Sequence, residues 1–300
     1  MTGSTGFIGS HLVKMLLRER HDIHAVIIDD TFKDYYLKNN VHTYHDCGST
    51  AGLIDYLSTH RFDGVVHLAS CFLVEHSSSD IDALVNSNLL FSTRVLEAAV
   101  RSDVRWFINT GTYWQHYNNG DYNPVNLYAA TKQAFQDIAE YYLQTSPIHF
   151  TTIKLNDTYG PGDTRKKIFN LWYANLDSGE VLRMSPGEQL MDIVYIDDVI
   201  DAYLAMISRL NNADPTIARG SSYAVSSKER VTLKKLAEIF EHTVGRKVNI
   251  EWAGRDYRPR EVMVPWDRGV PVPGWTQHVS FEEGIKKVFL MGVNPDEERG

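Results

Sequence analysis

The chain has 300 residues and a formal net charge of −8 at pH 7, with 43% hydrophobic and 23% charged residues. This is an ordinary globular composition, and the negative balance argues against a nucleic-acid-binding surface. The chain has no run of about eighteen apolar residues, the length that a membrane helix needs. Its amino end lacks the pattern of a secretory signal. The two cysteines, Cys47 and Cys71, are too few for a disulfide framework, so we expect a cytoplasmic protein without membrane contact.

Short β-type runs alternate with amphipathic helical patterns through the first two thirds of the chain. The predicted strands are 21–28, 41–46, 62–70, 105–111 and 149–157, and the predicted helices are 9–20, 82–102 and 128–144. Such alternation predicts an α/β fold with a doubly wound parallel sheet. The rhythm breaks near residue 160. We therefore predict one domain over 1–160 and a smaller substrate-binding region over 161–300, interleaved with the last strands of the first.

Three glycines recur at three-residue spacing directly before the first predicted helix. Glycines allow a tight turn and let the backbone approach a pyrophosphate, which then faces the amino end of the helix. The pattern predicts the phosphate loop of a Rossmann dinucleotide-binding domain, although a glycine triplet alone is also compatible with a simple turn. The residues assigned to cofactor binding in this loop are Gly3, Thr5, Gly6, Phe7, Ile8 and Gly9.

The sheet itself departs from the expected Rossmann pattern at its start. Such a loop normally follows a central strand of about five residues, yet only Met1 and Thr2 precede Gly3. Either the first strand is missing from this chain or the true start lies upstream. We expect a Rossmann sheet with a truncated first strand.

Acidic residues close the two strands that follow the loop. Asp29 and Asp30 end the run 21–28, where a carboxylate can accept hydrogen bonds from a free ribose hydroxyl and repel a 2′-phosphate. A polar strand end is the other interpretation, so NAD versus NADP stays open. Asp46, at the end of the next strand, is in the usual position to meet the adenine ring.

The candidate catalytic residues follow the fourth predicted strand. Tyr128 and Lys132 form a Tyr-x-x-x-Lys pair, whose spacing places both side chains on one helical face. A nearby ammonium can stabilise a phenolate and lower the pKa of the tyrosine. Thr112 ends the preceding strand sixteen residues upstream, and its hydroxyl can hold a substrate oxygen beside Tyr128. The glycine loop, Thr112, Tyr128 and Lys132 together predict hydride-transfer chemistry.

In this order and spacing, the motifs resemble the extended short-chain dehydrogenase/reductase family, also described as the NAD-dependent epimerase/dehydratase family. The resemblance implies an NAD(P) cofactor and further contacts for it at Leu68 and Ala69 in Val-Val-His-Leu-Ala-Ser, and at Asn88 in the next helix. Asn156, in Lys-Leu-Asn-Asp-Thr-Tyr-Gly-Pro-Gly-Asp, would bind the sugar or its phosphate. Arg258, in Arg-Pro-Arg-Glu-Val with Arg260 in reserve, would clamp a nucleotide diphosphate.

The family shares its catalytic machinery among reductases, epimerases and dehydratases. Thr112 is followed by Tyr113, Trp114 and Gln115 rather than by the acid–base pair of a dehydratase. Residues 107–136 resemble the CDP-abequose synthase-like nucleotide-sugar 4-ketoreductases. The resemblance implies reduction of a 4-keto-6-deoxyhexose on a nucleotide carrier with Tyr128 as proton donor. The alternatives are a 4-epimerase with tightly held NAD and a catalytically silent cofactor-binding protein.

The resemblance also implies a homodimer formed through the predicted helices 82–102 and 128–144. The side chains expected at its apolar seam are Leu89, Leu90, Phe135 and Tyr142. No metal is expected, because the twelve histidines show no known ligand spacing.

Overall fold

The structure, a computed structural model, describes residues 1–28 and 32–291, so Asp29 and Asp30 lie outside the described residues. The helices are α1 (Phe7–Arg18), α2 (Lys33–Lys38), α3 (Thr50–His60), α4 (Ile81–Val85), α5 (Ser92–Arg101), α6 (Leu127–Thr145), α7 (Ile168–Ser178), α8 (Ile196–Asn211), α9 (Leu233–Val244) and α10 (Phe281–Phe289). The strands are β1 (His24–Ile27), β2 (His42–His45), β3 (Gly64–His67), β4 (Trp106–Thr112), β5 (His149–Leu155), β6 (Asp157–Tyr159), β7 (Leu182–Arg183), β8 (Leu190–Met191), β9 (Ile193–Tyr195), β10 (Ser222–Val225), β11 (Val231–Thr232) and β12 (Ile250–Glu251). A π-helical segment, Asn86–Phe91, joins α4 to α5.

The main sheet is parallel and doubly wound, as the sequence predicted. Its order is β2, β1, the short segment around Thr2, β3, β4, β5 and β10. The chain starts in the middle of the sheet, winds outward through β1 and β2, and then returns to continue on the other side. The predicted α/β fold is confirmed. Ligands bind such sheets where the winding reverses, at the carboxyl ends of the strands.

A single residue holds the place of the first strand. Thr2 forms parallel bridges to Val26 of β1 and to His67 of β3. Its amide donates to the Val66 carbonyl at 3.0 Å, and the Met1 carbonyl accepts from the amide of Val26 at 2.9 Å. Beside Met1 a cavity of about 190 Å³ continues between β1 and β3. The short segment of Met1 and Thr2 thus joins the two halves of the sheet.

Helices cover both faces of the main sheet. On one face, α1 packs against α8, with Leu12 and Val13 fully buried against residues such as Met206. On the other face, α3 packs on α5 and α5 on α6, around the stacked rings of Phe107 and Phe150. The central strands β4 and β5 are therefore buried on both faces, as is usual in parallel sheets.

Smaller sheets follow residue 156 and build the second half of the molecule. There β6 pairs with β9, β7 with β12 and β8 with β11. Two elements of this half return to the first: β10 pairs with β5, and α8 packs on α1. The predicted division into 1–160 and 161–300 stays a prediction. In the structure both ranges contribute strands to the main sheet, since β10 pairs with β5.

The side chain of Thr2 is part of a buried polar chain. Its hydroxyl lies 2.8 Å from Nδ1 of His67, whose Nε2 lies 2.8 Å from the Ser92 hydroxyl. The Thr2 hydroxyl also accepts a hydrogen bond from the amide of Ala69 at 3.2 Å. Burial lowers the pKa of His67 to about 3, so the imidazole is neutral and needs both partners.

We expect Thr2→Val to lower the free energy of unfolding by about 1–3 kcal/mol, because an isosteric methyl leaves buried polar groups at His67 and Ala69 unsatisfied. Urea unfolding followed by circular dichroism measures the loss. Thr5→Val, at an exposed position, is the matched control and should change little. Equal midpoints for the two variants would contradict the role given to Thr2.

Candidate active site

The glycine loop is packed so tightly that side chains cannot enter it. Gly3 has a φ of +69°, and a Cβ built on it would lie 2.5 Å from the amide nitrogen of Ala69. A Cβ on Gly9 would lie 2.0 Å from the carbonyl oxygen of Gly3. Helix α1 begins at once after Gly6, and among the described residues no side chain caps its first turn. The loop therefore offers bare backbone and helix dipole to an anion, which fits a dinucleotide pyrophosphate.

Thr112, Tyr128 and Lys132 meet at the carboxyl end of the sheet, as the sequence predicted for a catalytic group. Thr112 ends β4, and Tyr128 and Lys132 lie in the first turns of α6. All three line one pocket of about 150 Å³ together with Ile8 and Leu68. This space is called the catalytic pocket below. The ammonium nitrogen of Lys132 lies 6.0 Å from the centre of the Tyr128 ring.

Burial controls the ionisation of this pair. It raises the pKa of Tyr128 to about 12, against opposing effects of a hydrogen bond with Ser70 and the charge of Arg165. Burial also lowers the pKa of Lys132 to about 8. The expectation that Lys132 lowers the pKa of Tyr128 is thus wrong for this structure, because desolvation of the phenolate dominates. At neutral pH Tyr128 is a protonated phenol and can donate a proton.

Asn88 connects the cofactor side of the site to the catalytic helix. Its Nδ2 donates to the Cys71 carbonyl and to the Thr131 hydroxyl, each at 3.0 Å. Its Oδ1 accepts from the amide of Cys71 at 2.8 Å and from the Ser70 hydroxyl at 3.2 Å. These four bonds hold the loop after β3 against α6, and the contact of Asn88 with the cofactor stays a prediction.

A cleft of about 610 Å³ adjoins the catalytic pocket. Tyr113, Trp114 and Asp157 line both spaces. Asn156 faces the catalytic pocket, and Arg258 lies in the wall of the cleft. The volume is within the range of about 300–1,000 Å³ that is usual for small-molecule sites.

Unsatisfied polar atoms mark where a ligand would bind. Oδ1 of Asn156, Nε1 of Trp114 and Oε1 of Gln189 are buried without a hydrogen-bond partner in the described structure, and all three residues line the pocket or the cleft. Most buried polar atoms in proteins are paired. These three can therefore bond a polar ligand such as a sugar.

Two residues of the pocket, Asp157 and Lys167, were missed by the sequence analysis. The carboxylate of Asp157 accepts from Lys167 at 2.6 Å and from the Tyr113 hydroxyl at 3.3 Å. Only its place directly after Asn156 could have pointed to Asp157. Lys167 lies ten residues further along the chain, with no motif to connect it to the site.

Three other predicted residues contact partners within the chain. Asp46 forms an ion pair with Arg94 at 2.7 Å, and its contact with adenine stays a prediction. Arg258 pairs with Glu261 at 3.1 Å, while Arg260 lies over the Tyr117 ring. Asp29 lies outside the described residues.

Comparison with known proteins identifies the family. The model of the NAD dependent epimerase/dehydratase family matches residues 1–219. The chain belongs to this family. Membership agrees with the glycine loop and with the Thr112, Tyr128 and Lys132 group, and it makes the protein an NAD(P)-dependent enzyme, with NAD versus NADP left open.

Relatives within the NAD dependent epimerase/dehydratase family match nearly the whole chain. CDP-abequose synthase of Salmonella typhimurium is 24% identical over 96% of this chain and 96% of its own length. The Yersinia pseudotuberculosis CDP-abequose synthase is 28% identical over 88% of this chain and 90% of its own length. UDP-glucose 4-epimerase of Thermotoga maritima has a TM-score of 0.81 at 21% identity, and UDP-glucuronic acid 4-epimerase of Bacillus cereus has 0.81 at 19%, each covering 96% of both chains. The two solved structures confirm the fold.

Two sequence-based exclusions can be compared with the structure. In the described part of the chain, no helix has the length and apolar character needed to cross a membrane. The absence of a metal stays a prediction. The described residues do bring the ligand atoms of Asp22, His24 and His42 within 4.8 Å of one another, at the amino ends of β1 and β2 and away from the catalytic pocket.

We expect cofactor-dependent activity to fall as pH rises through about 8, because Lys132 loses its charge there, whereas Tyr128 stays protonated to much higher pH. A pH profile of kcat/KM measures this limb. In Lys132→Arg the guanidinium stays charged at all these pH values, so the residual activity should lack the decline near pH 8. An unchanged decline in that variant would assign it to another group.

Proposed function

We propose that this chain reduces a 4-keto-6-deoxyhexose carried on a nucleotide, using NAD(P)H as the hydride donor. The observation that carries the proposal is a protonated Tyr128 beside Thr112, in a buried pocket that adjoins a ligand-sized cleft. The full-length similarity to CDP-abequose synthases supports a nucleotide sugar as substrate. The cytoplasmic location expected from the sequence is part of the proposal.

In this proposal the glycine loop and α6 would hold the cofactor. When bound, its nicotinamide supplies the hydride. The backbone at Gly3, Gly6 and Gly9 receives the pyrophosphate, with Leu68 and Ala69 at the adjacent strand end. Lys132 bonds the nicotinamide ribose. Thr5, Phe7 and Ile8 complete the loop, and Asp29 and Asp46 remain the proposed ribose and adenine contacts.

Tyr128 and Thr112 act on the substrate carbonyl oxygen. The Thr112 hydroxyl holds the substrate carbonyl oxygen in place, and the Tyr128 phenol donates its proton to that oxygen as the carbonyl is reduced. General-acid help of this kind is worth about 10²–10⁴ in rate. The phenol is protonated at neutral pH, as donation requires. An epimerase must first oxidise an alcohol and would need Tyr128 as a base.

The remaining polar groups would orient the sugar nucleotide. The unpaired Oδ1 of Asn156 can accept from a sugar hydroxyl, and the unpaired Nε1 of Trp114 can donate to a sugar oxygen. Arg258, in the wall of the larger cleft, would bind the diphosphate, a partner that guanidinium groups bind bidentately. This requires Arg258 to exchange its bond with Glu261 for the phosphate.

The decisive experiment follows NAD(P)H absorbance with 4-keto-6-deoxyhexoses on CDP, UDP, dTDP and GDP carriers. We expect oxidation of NAD(P)H only when such a sugar is present, from protein that purifies largely free of cofactor. Tyr128→Phe should lower kcat by about 10²–10⁴ with little change in the cofactor dissociation constant. Full turnover in this variant would exclude Tyr128 as the donor.

A different outcome would identify an epimerase. Tightly bound NAD released on denaturation, with interconversion of 4-hydroxy epimers and no net consumption of NAD(P)H, would replace the reductase by that alternative. Cofactor binding without conversion of any sugar would leave the catalytically silent protein.

We further propose that the chain forms a homodimer through the surface of α4–α5 and α6. Val85, Leu90 and Tyr141 expose 40%, 54% and 64% of their surface there. The expectation that Phe135 and Tyr142 lie at the seam is wrong, because both are buried within one chain against α5 and the sheet. Leu89 is partly buried in the same core.

We expect the wild-type chain to be dimeric in light scattering at micromolar concentration and Leu90→Glu to be monomeric, since a charge at an apolar interface is costly. Leu171→Glu, on the exposed side of α7, is the matched control and should not change the mass. A monomeric wild-type chain would rule out this assembly.

A further inference from the structure

The cations beside the catalytic pair determine which sugars the pocket can accept. Three cationic side chains line the described part of the catalytic pocket: Lys132, Arg165 and Lys167. In the proposed function Lys132 serves the cofactor ribose. Any anionic group on the sugar ring would therefore have to bind Arg165 or Lys167.

Arg165 is already paired with the buried carboxylate of Asp163. Its Nε and Nη2 donate to the two carboxylate oxygens of Asp163 at 2.7 and 2.8 Å, and Nη2 also donates to the Thr158 carbonyl at 2.9 Å. The Asp163 side chain is only 2% exposed. Releasing the guanidinium would leave a buried carboxylate without its partner, which is costly.

Lys167 is paired as well. Its ammonium lies 2.6 Å from Oδ1 of Asp157 and 5.1 Å from the centre of the Phe72 ring. The two charged side chains are 25% and 23% exposed, so solvent screens the pair only in part. Burial opposes ionisation of Asp157, but Lys167 and Arg165 hold the pKa of its carboxyl below the usual value.

We propose that this pocket selects a neutral, hydroxylated hexose and rejects a hexuronic acid, and that Asp157 sets this choice. The inference rests on the proposed function, because it concerns the sugar of the same nucleotide-sugar substrate. A sugar carboxylate would find Arg165 and Lys167 neutralised and would meet the carboxylate of Asp157. A sugar hydroxyl instead can donate to a carboxylate oxygen of Asp157, since each has a second lone pair.

Asp157→Asn removes the negative charge of this side chain and keeps its shape, and so it tests the role of the charge. The amide retains an oxygen that can accept from Tyr113, while the loss of the negative charge frees Lys167 to bind an anion. The ligands are glucose and glucuronic acid, each as the UDP and the CDP conjugate, titrated calorimetrically into protein saturated with NAD⁺ at low salt. Binding is measured without turnover.

For the wild-type chain we expect at least about tenfold tighter binding of the glucose conjugate than of the glucuronic acid conjugate, as like-charge juxtaposition suppresses wrong partners. In Asp157→Asn the glucuronic acid conjugate should gain at least about tenfold in affinity. The double variant Asp157→Asn with Lys167→Gln should lose that gain, which assigns it to the freed ammonium.

Asp177→Asn is the matched control. It removes one negative charge from an ion pair with Arg246 at an exposed position, and the affinities of all four ligands should stay as in the wild-type chain. Should Asp157→Asn fail to fold, Lys167→Gln alone decides. It leaves the Asp157 carboxylate without its ion-pair partner, so discrimination against glucuronic acid should increase.

The outcomes separate this inference from the function on which it rests. Failure of all four conjugates to bind the wild-type chain, together with no NAD(P)H oxidation on any of the four carriers, would overturn the nucleotide-sugar function and this inference with it. If NAD(P)H is oxidised on a dTDP or GDP carrier, the glucose and glucuronic acid conjugates of that carrier decide the inference. Equal binding of glucose and glucuronic acid conjugates to the wild-type chain would overturn the inference alone. So would unchanged discrimination in Asp157→Asn.

Discussion

The bridge made by Thr2 is the contact on which the rest of the molecule depends. A doubly wound sheet needs a central strand, and in the described structure the bonds of Met1 to β1 and of Thr2 to β3 connect its two halves. The residue that follows, Gly3, turns with positive φ against Ala69, and Gly9 packs on its carbonyl. The backbone cradle, the amino end of α1 and the end of β3 are therefore fixed together. Because parallel strands share one carboxyl edge, Thr112 ends beside them.

Burial then decides what the catalytic groups can do. The same desolvation raises the pKa of Tyr128 and lowers that of Lys132, because each charged form loses its hydration. The result is a phenol that is protonated at neutral pH and an amine near its titration point. Asn88 stabilises this arrangement from outside the pocket, since its amide bonds both the loop after β3 and the catalytic helix. The π-helical segment around Asn88 lies at this contact.

Ion pairing is the second property of the site. Ion pairs occupy two of the three cations that line the described pocket before any substrate binds: Arg165 with Asp163 and Lys167 with Asp157. The walls of the larger cleft carry Arg255, Arg258 and Arg260 together with the carboxylates of Glu75, Asp157, Asp192 and Glu261. A pocket with paired cations beside a cleft that offers guanidinium groups is complementary to a molecule with an uncharged reacting end and a charged carrier. A nucleotide sugar has this distribution, as the diphosphate is its anionic part.

The sequence by itself determined the parts of this protein that depend on local patterns. Strand–helix alternation predicted the parallel sheet, the glycine spacing predicted the loop before α1, and the Tyr128–Lys132 spacing placed both residues on one helical face. These follow from periodicities set by backbone geometry over a few residues. The tertiary structure alone decided which distant residues meet and which side of a helix is covered. It brought Lys167 to Asp157, used both ends of the Asn88 amide inside the protein, and buried Phe135 and Tyr142 where the sequence suggested a dimer seam. Such pairings, and the desolvation that reversed the expected pKa shift of Tyr128, depend on packing between separate elements, which no local pattern encodes.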